Sequence, residues 1–203
     1  ELKDFAPIGD MMYEGFGKNV CAYNGVGPDQ EESVRGDYMT MLRALDTHFA
    51  SNDFLLGARP CLADFALAGA CKAHFVTDPT PCSWLGEFRG MLFEYTDRLF
   101  GEKNYSDCDW PENDSVPDSL NTVLDYAQGT YFEFARANIA AGLAGEKYYE
   151  YDYGFGQTRA RTQRRLNLAR LHVQDELLEY GAADKKSVKA LFAGRGIMEH
   201  YLS

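Results

Sequence analysis

Positive charge is scarce in this 203-residue chain: Lys and Arg number 20 against 31 Asp and Glu, a formal net charge of −11 at pH 7. Such a balance repels phosphate backbones and anionic headgroups, so neither nucleic acid nor a membrane surface is an expected partner. Long apolar runs are missing as well. No stretch approaches the roughly 20 residues of a membrane span, and no charged start followed by an apolar segment reads as a secretory signal. Cysteines are few and odd in number, with Cys21, Cys61, Cys71, Cys82 and Cys108 at irregular spacing. That is poor material for a disulfide framework and suits a reducing compartment, so the expected location is cytoplasmic. Cys71 and His74 could share a helix face, but no second ligand pair at metal-site spacing accompanies them, and no metal is expected. Internal repeats, low-complexity tracts and a βαβ pattern are absent too. The chain opens on Glu1 rather than Met, as a processed or truncated product would.

What is present reads as helix. Hydrophobic residues make up 45% of the chain and aromatics 14%, enough for a core and equally for an apolar ligand pocket. Residues 1 to 28 predict a short helix followed by a loop, the loop falling in the Gly- and Asn-rich run from Gly15 to Pro28. From Asp29, the positions of Val34, Tyr38, Met41, Leu42, Leu45 and Phe49 trace one helical stripe. Residues 62 to 76 (LADFALAGACKAHFV) are apolar almost all round, which predicts a helix covered on every side at the centre of the core. Asp78-Pro79 ends it, because the residue before a proline leaves the helical region. A further helix is predicted from about Pro81 to Phe100, carrying Trp84, Leu85, Phe88, Met91, Leu92, Tyr95 and Leu99.

Gly101 to Ser115 is polar, acidic and aperiodic, and reads as an exposed loop. Ser115 and Pro117 open another helix through Leu120, Leu124, Tyr131 and Phe134 toward Gly142 or Gly145, with Gly129 softening its middle. Tyr149, Tyr151, Tyr153 and Phe155 then alternate with Glu150, Asp152 and Gly154, the period of a short strand or hairpin, and this row reads as a packed face. Arg159, Arg161, Arg164 and Arg165 form a basic stretch opening the next helix. In so acidic a chain they are expected to pair with internal carboxylates rather than bind an anionic ligand. A last short helix spans roughly Asp184 to Ala193, capped by Gly194. The fold class is therefore all-α: a bundle of five to seven helices with one small β-hairpin, in a single domain of residues 1–203.

The most specific string is FLLGARPCLADFAL, residues 54–67, followed by His74, Asp78 and Pro79. In the pattern Ser/Thr-x-x-Asp, the first side chain caps the N3 amide while the acid reaches back to the N-cap amide. Asp64 holds the acid position, and Cys61, a much weaker acceptor, holds the cap. Both are assigned a structural capping role, ahead of a catalytic one for Asp64. His74 and Asp78, four residues apart near a helix end, likewise read as a structural pair.

The segment resembles the C-terminal helical domain of glutathione transferases, in which a closely similar string opens the central helix. The preceding Leu42-Arg-Ala-Leu-Asp-Thr-His-Phe49 is also similar to that family. The resemblance, to a bacterial branch with a C-terminal extension, is strongest over residues 38 to 81 and weak after 115. It implies core helices in residues 1–100 and an extension in 101–203. In this family the thiol site lies mainly in an N-terminal thioredoxin-like domain, which no βαβ pattern places in this chain. The helical half supplies a wall for the hydrophobic co-substrate and much of the dimer interface.

The resemblance implies several roles. Phe5, Met11, Met12, Tyr13 and Phe16 would face an apolar electrophile, or else pack on the bundle. Glutathione would be a co-substrate only where the thioredoxin-like half is present. Partners would be a second copy of the chain or such a domain. A non-enzymatic protein-interaction module and an apolar small-ligand binder stand as alternatives, since the chain shows no nucleophile–base pair at a recognisable spacing and no catalytic residue is assigned.

Overall fold

The computed structural model describes residues 6–101, 104–152 and 156–202. It is mostly helical, at 69% helix, with one two-stranded antiparallel hairpin, as the all-α reading expects. The residues group into two compact units: residues 35–127 form one, and residues 1–34 with 128–203 form the other.

The unit of residues 35–127 is built around α3 (Glu31–Phe49), whose stripe buries Tyr38, Leu42, Leu45 and His48 as the periodicity predicts. Then come α4 (Leu62–Ala70), α5 (Pro79–Trp84), α6 (Arg89–Phe100) and α7 (Leu120–Ala127). Leu42, Leu85, Leu92, Phe88 and Cys71 form one core cluster, and Phe54, Ala68, Tyr95 and Leu99 another. Phe49 stacks on Tyr95 at 4.2 Å between ring centroids. His48, fully buried, lies 3.2 Å from the Phe54 carbonyl through Nε2 and 3.0 Å from Ser119 Oγ through Nδ1. A carbonyl only accepts, so Nε2 carries the proton and the ring joins three parts of the chain.

Two expectations are corrected in this unit. The helix predicted from Pro81 to Phe100 is broken between α5 and α6, where Gly86 takes a left-handed φ of 52° and a short 3₁₀ turn follows. Only glycine adopts that conformation without a steric penalty. Nor is the 62–76 helix covered on every side. It buries Asp64, Ala68 and Cys71 along one stripe but leaves Leu62 85% and Phe65 50% exposed, and after Ala70 it widens into a π turn, Cys71–Phe75.

In the other unit, α1 (Ala6–Met12) continues through a π turn (Tyr13–Gly17) into α2 (Lys18–Tyr23), so the loop expected from Gly15 begins only at Asn24. Glycine costs a helix interior about 1 kcal/mol against alanine, which slackens the helix without ending it. At Gly25 the chain does turn, with φ at 76°, and an added Cβ would lie 3.1 Å from the Arg159 carbonyl oxygen. The hydroxyl of Thr158 donates to the Gly25 carbonyl at the same place.

α8 (Glu133–Leu143) follows a π turn at Gln128–Phe132 that contains Gly129, the expected soft point. The hairpin pairs β1 (Tyr148–Asp152) with β2 (Gln157–Arg161), Tyr149 opposite Ala160 and Tyr151 opposite Thr158. Tyr149, Tyr151 and Ala160 pack with Ala141 and Phe134, so the described part of the tyrosine row is a packed face; Tyr153 and Phe155 lie outside the described residues. α9 (Arg164–Glu179), α10 (Ala182–Leu191) and α11 (Ile197–Leu202) complete the unit. Arg159 and Arg161 belong to β2, not to the helix predicted for them, because the alternating pattern of the hairpin extends through them.

Candidate functional site

Asp64 is the centre of the motif, and the structure gives it a folding task. Its carboxylate is fully buried. Oδ2 accepts from the Cys61 amide at 2.9 Å and from the Cys61 thiol at 3.1 Å; Oδ1 accepts from the Leu55 amide at 2.9 Å and the Tyr95 hydroxyl at 3.1 Å. Four donors around one carboxylate replace the water lost on burial and tie the 54–57 turn, the start of α4 and the middle of α6 together. The acid half of the capping box is thus made as expected. The other half is made too: the Cys61 side chain faces the N3 amide of Asp64, and its thiol also donates to the Asp64 carboxylate. Burial, reinforced by the hydrogen bond to Asp64, pushes the Cys61 thiol up, and burial with the same carboxylate pushes the Tyr95 hydroxyl up strongly. Neither is poised as a nucleophile.

The other polar residues singled out from the sequence divide clearly. His74 Nδ1 and Asp78 Oδ2 are 3.1 Å apart and both exposed, an i,i+4 surface pair. Cys71 is buried, its thiol pushed up to about 12 by desolvation, while His74 faces solvent, so the two do not converge. Among the described residues, no three His, Cys, Asp or Glu side chains gather to hold a metal ion.

The residues implied as substrate-facing are bare. Met11 is 66% and Phe16 65% exposed, with Met12, Tyr13 and Ile8 also more than half exposed. They form an apolar row along α1 and its π turn, and the packing alternative does not describe them. Phe5 lies outside the described residues.

Sequence reasoning passes over the polar scaffold of the first and last segments. Asn138, on α8 and almost fully buried, accepts from the Gln163 amide at 2.6 Å and donates to the Gln163 carbonyl at 2.9 Å. Gln163 in turn donates from Nε2 to Asn24 Oδ1 at 2.8 Å. This clamp fixes the start of α9 against α8 and the end of α2. No local pattern marks it, since the partners are far apart in sequence.

Around the clamp opens a cavity of about 640 Å³ lined by Val20, Tyr23, Asn24, Arg161, Thr162, Gln163, Arg164 and Arg165. Asn138, Glu146, Lys147, Arg161, Thr162 and Asn167 are among the residues of an adjoining cavity of about 440 Å³. The internal pairing expected for the arginine cluster is not found: among the described residues Arg159, Arg161, Arg164 and Arg165 form no ion pair. Arg159 lies over the Tyr148 ring at 4.4 Å and Arg161 over Tyr23 at 5.3 Å instead.

A third cavity, of about 400 Å³, joins Ile139, Ala140 and Leu143 to Arg136, Arg170, Glu199 and His200. None of the three is lined by the bare residues of α1 and its π turn. Burial, with Arg136 and Arg170 nearby, lowers the His200 pKa to about 4. The imidazole is therefore neutral at physiological pH. No helix among the described residues is long and apolar enough to cross a membrane. Comparison with protein-family models, with curated proteins and with solved structures finds no match for this chain.

Proposed function

We propose that this chain is the helical half of a glutathione transferase-like protein, the part that holds an apolar co-substrate and offers a surface for dimerisation. The observation that carries this reading is the Asp64 knot. Residues 54–67 place a buried acid at the third position of a helix, where it anchors the preceding turn and the helix beyond. The resemblance implies that this segment opens a central helix, and α4 opens on it.

Two bare apolar surfaces support a binding role over self-contained catalysis. The row Ile8, Met11, Met12, Tyr13 and Phe16 is exposed on a short helix, and such a helix draws stability from whatever covers that row. Leu62 and Phe65 leave a second apolar patch bare on one side of α4. Methionine-rich surfaces adapt to varied apolar ligands, as a broad electrophile pocket requires. The same exposure favours the second reading, a protein-interaction module, in which the row meets a partner chain.

No residue of this chain is assigned to glutathione or to activating its thiol. On the proposed reading both tasks belong to a thioredoxin-like domain, and this chain contributes position and exclusion of water to the apolar partner of the reaction. The test is retention on immobilised glutathione together with turnover of a general electrophile by the 203-residue chain alone. The reading predicts neither. Retention or turnover would overturn the placement of the thiol site.

A further inference from the structure

Ion pairs elsewhere among the described residues are few and mostly local. Lys72 meets Asp97 at 2.7 Å, Arg136 meets Glu133 at 2.6 Å and Lys18 meets Glu14 at 3.2 Å. Among the described residues Arg161, Arg164 and Arg165 form no ion pair and line one cleft together, a concentration of positive charge in a chain of 31 acids and 20 bases. Arg161 ends β2, Arg164 and Arg165 open α9, and the Asn138–Gln163–Asn24 clamp holds the backbone between them in place. Of the remaining charged groups lining the two adjoining cavities, Lys147 adds positive charge and Glu146 opposes it.

Two further observations point into the same place. The Thr162 Oγ1 and Asn167 Oδ1 atoms are buried with no hydrogen-bond partner among the described residues, and both residues line the adjoining cavity, Thr162 lining the larger one as well. Buried polar atoms are nearly always satisfied by protein, water or ligand, so this pair leaves hydrogen-bonding capacity beside the arginine cleft. The first turn of α9 has no side-chain cap, and its two arginines sit at the positive end of the helix dipole. There they are unfavourable unless an anion joins them.

We propose that this cleft binds a small organic phosphate, a phosphomonoester of an apolar or aromatic alcohol. Two or three guanidinium groups and the Thr162 hydroxyl supply the donors that the three terminal oxygens of a phosphomonoester accept, and guanidinium forks match that geometry. Val20 and the Tyr23 ring form the apolar wall for the organic part. A cavity of about 640 Å³ falls within the size range of small-molecule sites. Asn167, with its amide turned over, offers a further donor to the phosphate.

The test is calorimetric titration of the 203-residue chain with phenyl phosphate, beside phenol, inorganic phosphate and a single-stranded oligonucleotide. Saturable one-site binding of phenyl phosphate is expected, weaker binding of inorganic phosphate, none of phenol, and weakening by added salt. Arg161→Gln with Arg164→Gln should reduce the affinity by about tenfold or more, since each loses a charge-assisted contact. Thr162→Val, which keeps the side-chain volume, should reduce it severalfold, while Arg43→Gln, on α3, should leave it unchanged. Circular dichroism checks that each variant is folded. The proposal is overturned if phenyl phosphate gives no saturable heat, if a folded Arg161→Gln/Arg164→Gln variant titrates like the parent, or if only the oligonucleotide binds. Equal affinity for inorganic and phenyl phosphate would overturn the role given to Val20 and Tyr23.

Discussion

Replacing Asp64 by Asn changes the side chain by one atom and removes the charge, so its cost measures the knot directly. The carboxylate accepts four donors, two on each oxygen. An Asn side chain has one oxygen and can keep only one of those pairs. With Oδ1 toward Leu55 and Tyr95, its amide N–H groups face the Cys61 amide and thiol, donor against donor. The protein loses a charge-assisted bond and leaves a buried N–H unsatisfied, terms of about 1.5–3 and 1–3 kcal/mol. The expected loss is about 3–5 kcal/mol, a large share of the roughly 5–15 kcal/mol that holds a domain folded. The corresponding fall in Tm is about 6–20 °C at 2–4 °C per kcal/mol.

Both tryptophans, Trp84 and Trp110, lie in residues 35–127, so urea unfolding followed by tryptophan fluorescence reports on the unit that contains the knot. Tyr95→Phe, which removes one donor and leaves the carboxylate with three, should cost only about 1–2 kcal/mol by the same reasoning. An Asp64→Asn loss below about 1 kcal/mol would refute the account, because it would mean the carboxylate carries no more than a surface pair does.

The same geometry sets three other outcomes. Cys61→Ser should be neutral or stabilising by up to ~1 kcal/mol in thermal unfolding, because a hydroxyl both donates to Asp64 and caps the helix better than a thiol; a fall in Tm contradicts this. Asn138→Ala strips both partners from the Gln163 backbone and should cost about 2–4 kcal/mol in denaturant unfolding followed by circular dichroism, a loss under about 1 kcal/mol arguing against the clamp. His200 has its folded pKa lowered to about 4 from 6.5. The folded state therefore binds its proton less tightly than the unfolded state does, so stability is full above pH 6.5 and falls as the pH drops toward 4. Against His200→Gln, the parent should lose up to about 2 kcal/mol more over that window, less than the full shift implies because solvent screens the two arginines. Parallel pH profiles of the two proteins would contradict it.

The parts of the structure legible in the sequence are those written in local periodicity. The stripe of α3, the soft point at Gly129 and the alternating tyrosines of β1 each depend on neighbours three, four or two residues away. The left-handed turn at Gly86 is not legible, since a glycine inside an amphipathic pattern looks the same whether it is tolerated or breaks the helix. The bare side of α4 is hidden for a related reason: a helix with apolar residues on nearly every side records what could cover it, not what does. Arg159 and Arg161 read as helical because charge carries no period of its own over so few residues. At the site level, Asp64 is legible from its spacing to Cys61, but its bonds to Leu55 and Tyr95 are not. Asn138 and the unpaired arginine cleft depend on tertiary proximity alone, across separations that no short motif encodes.

The central claim, that α1 and its π turn present a wall to an apolar ligand while this chain leaves glutathione unbound, is open to one direct measurement. The six methionines, of which Met11 and Met12 lie on α1, provide methyl resonances that methyl-13C labelling resolves by NMR and single substitutions assign. Titration with a neutral naphthalene-type aromatic should shift the Met11 and Met12 methyls saturably and leave Met91, on α6, in place, while glutathione should move none of the six. Shifts confined to other methionines, or a glutathione-dependent shift in the chain alone, would contradict the account.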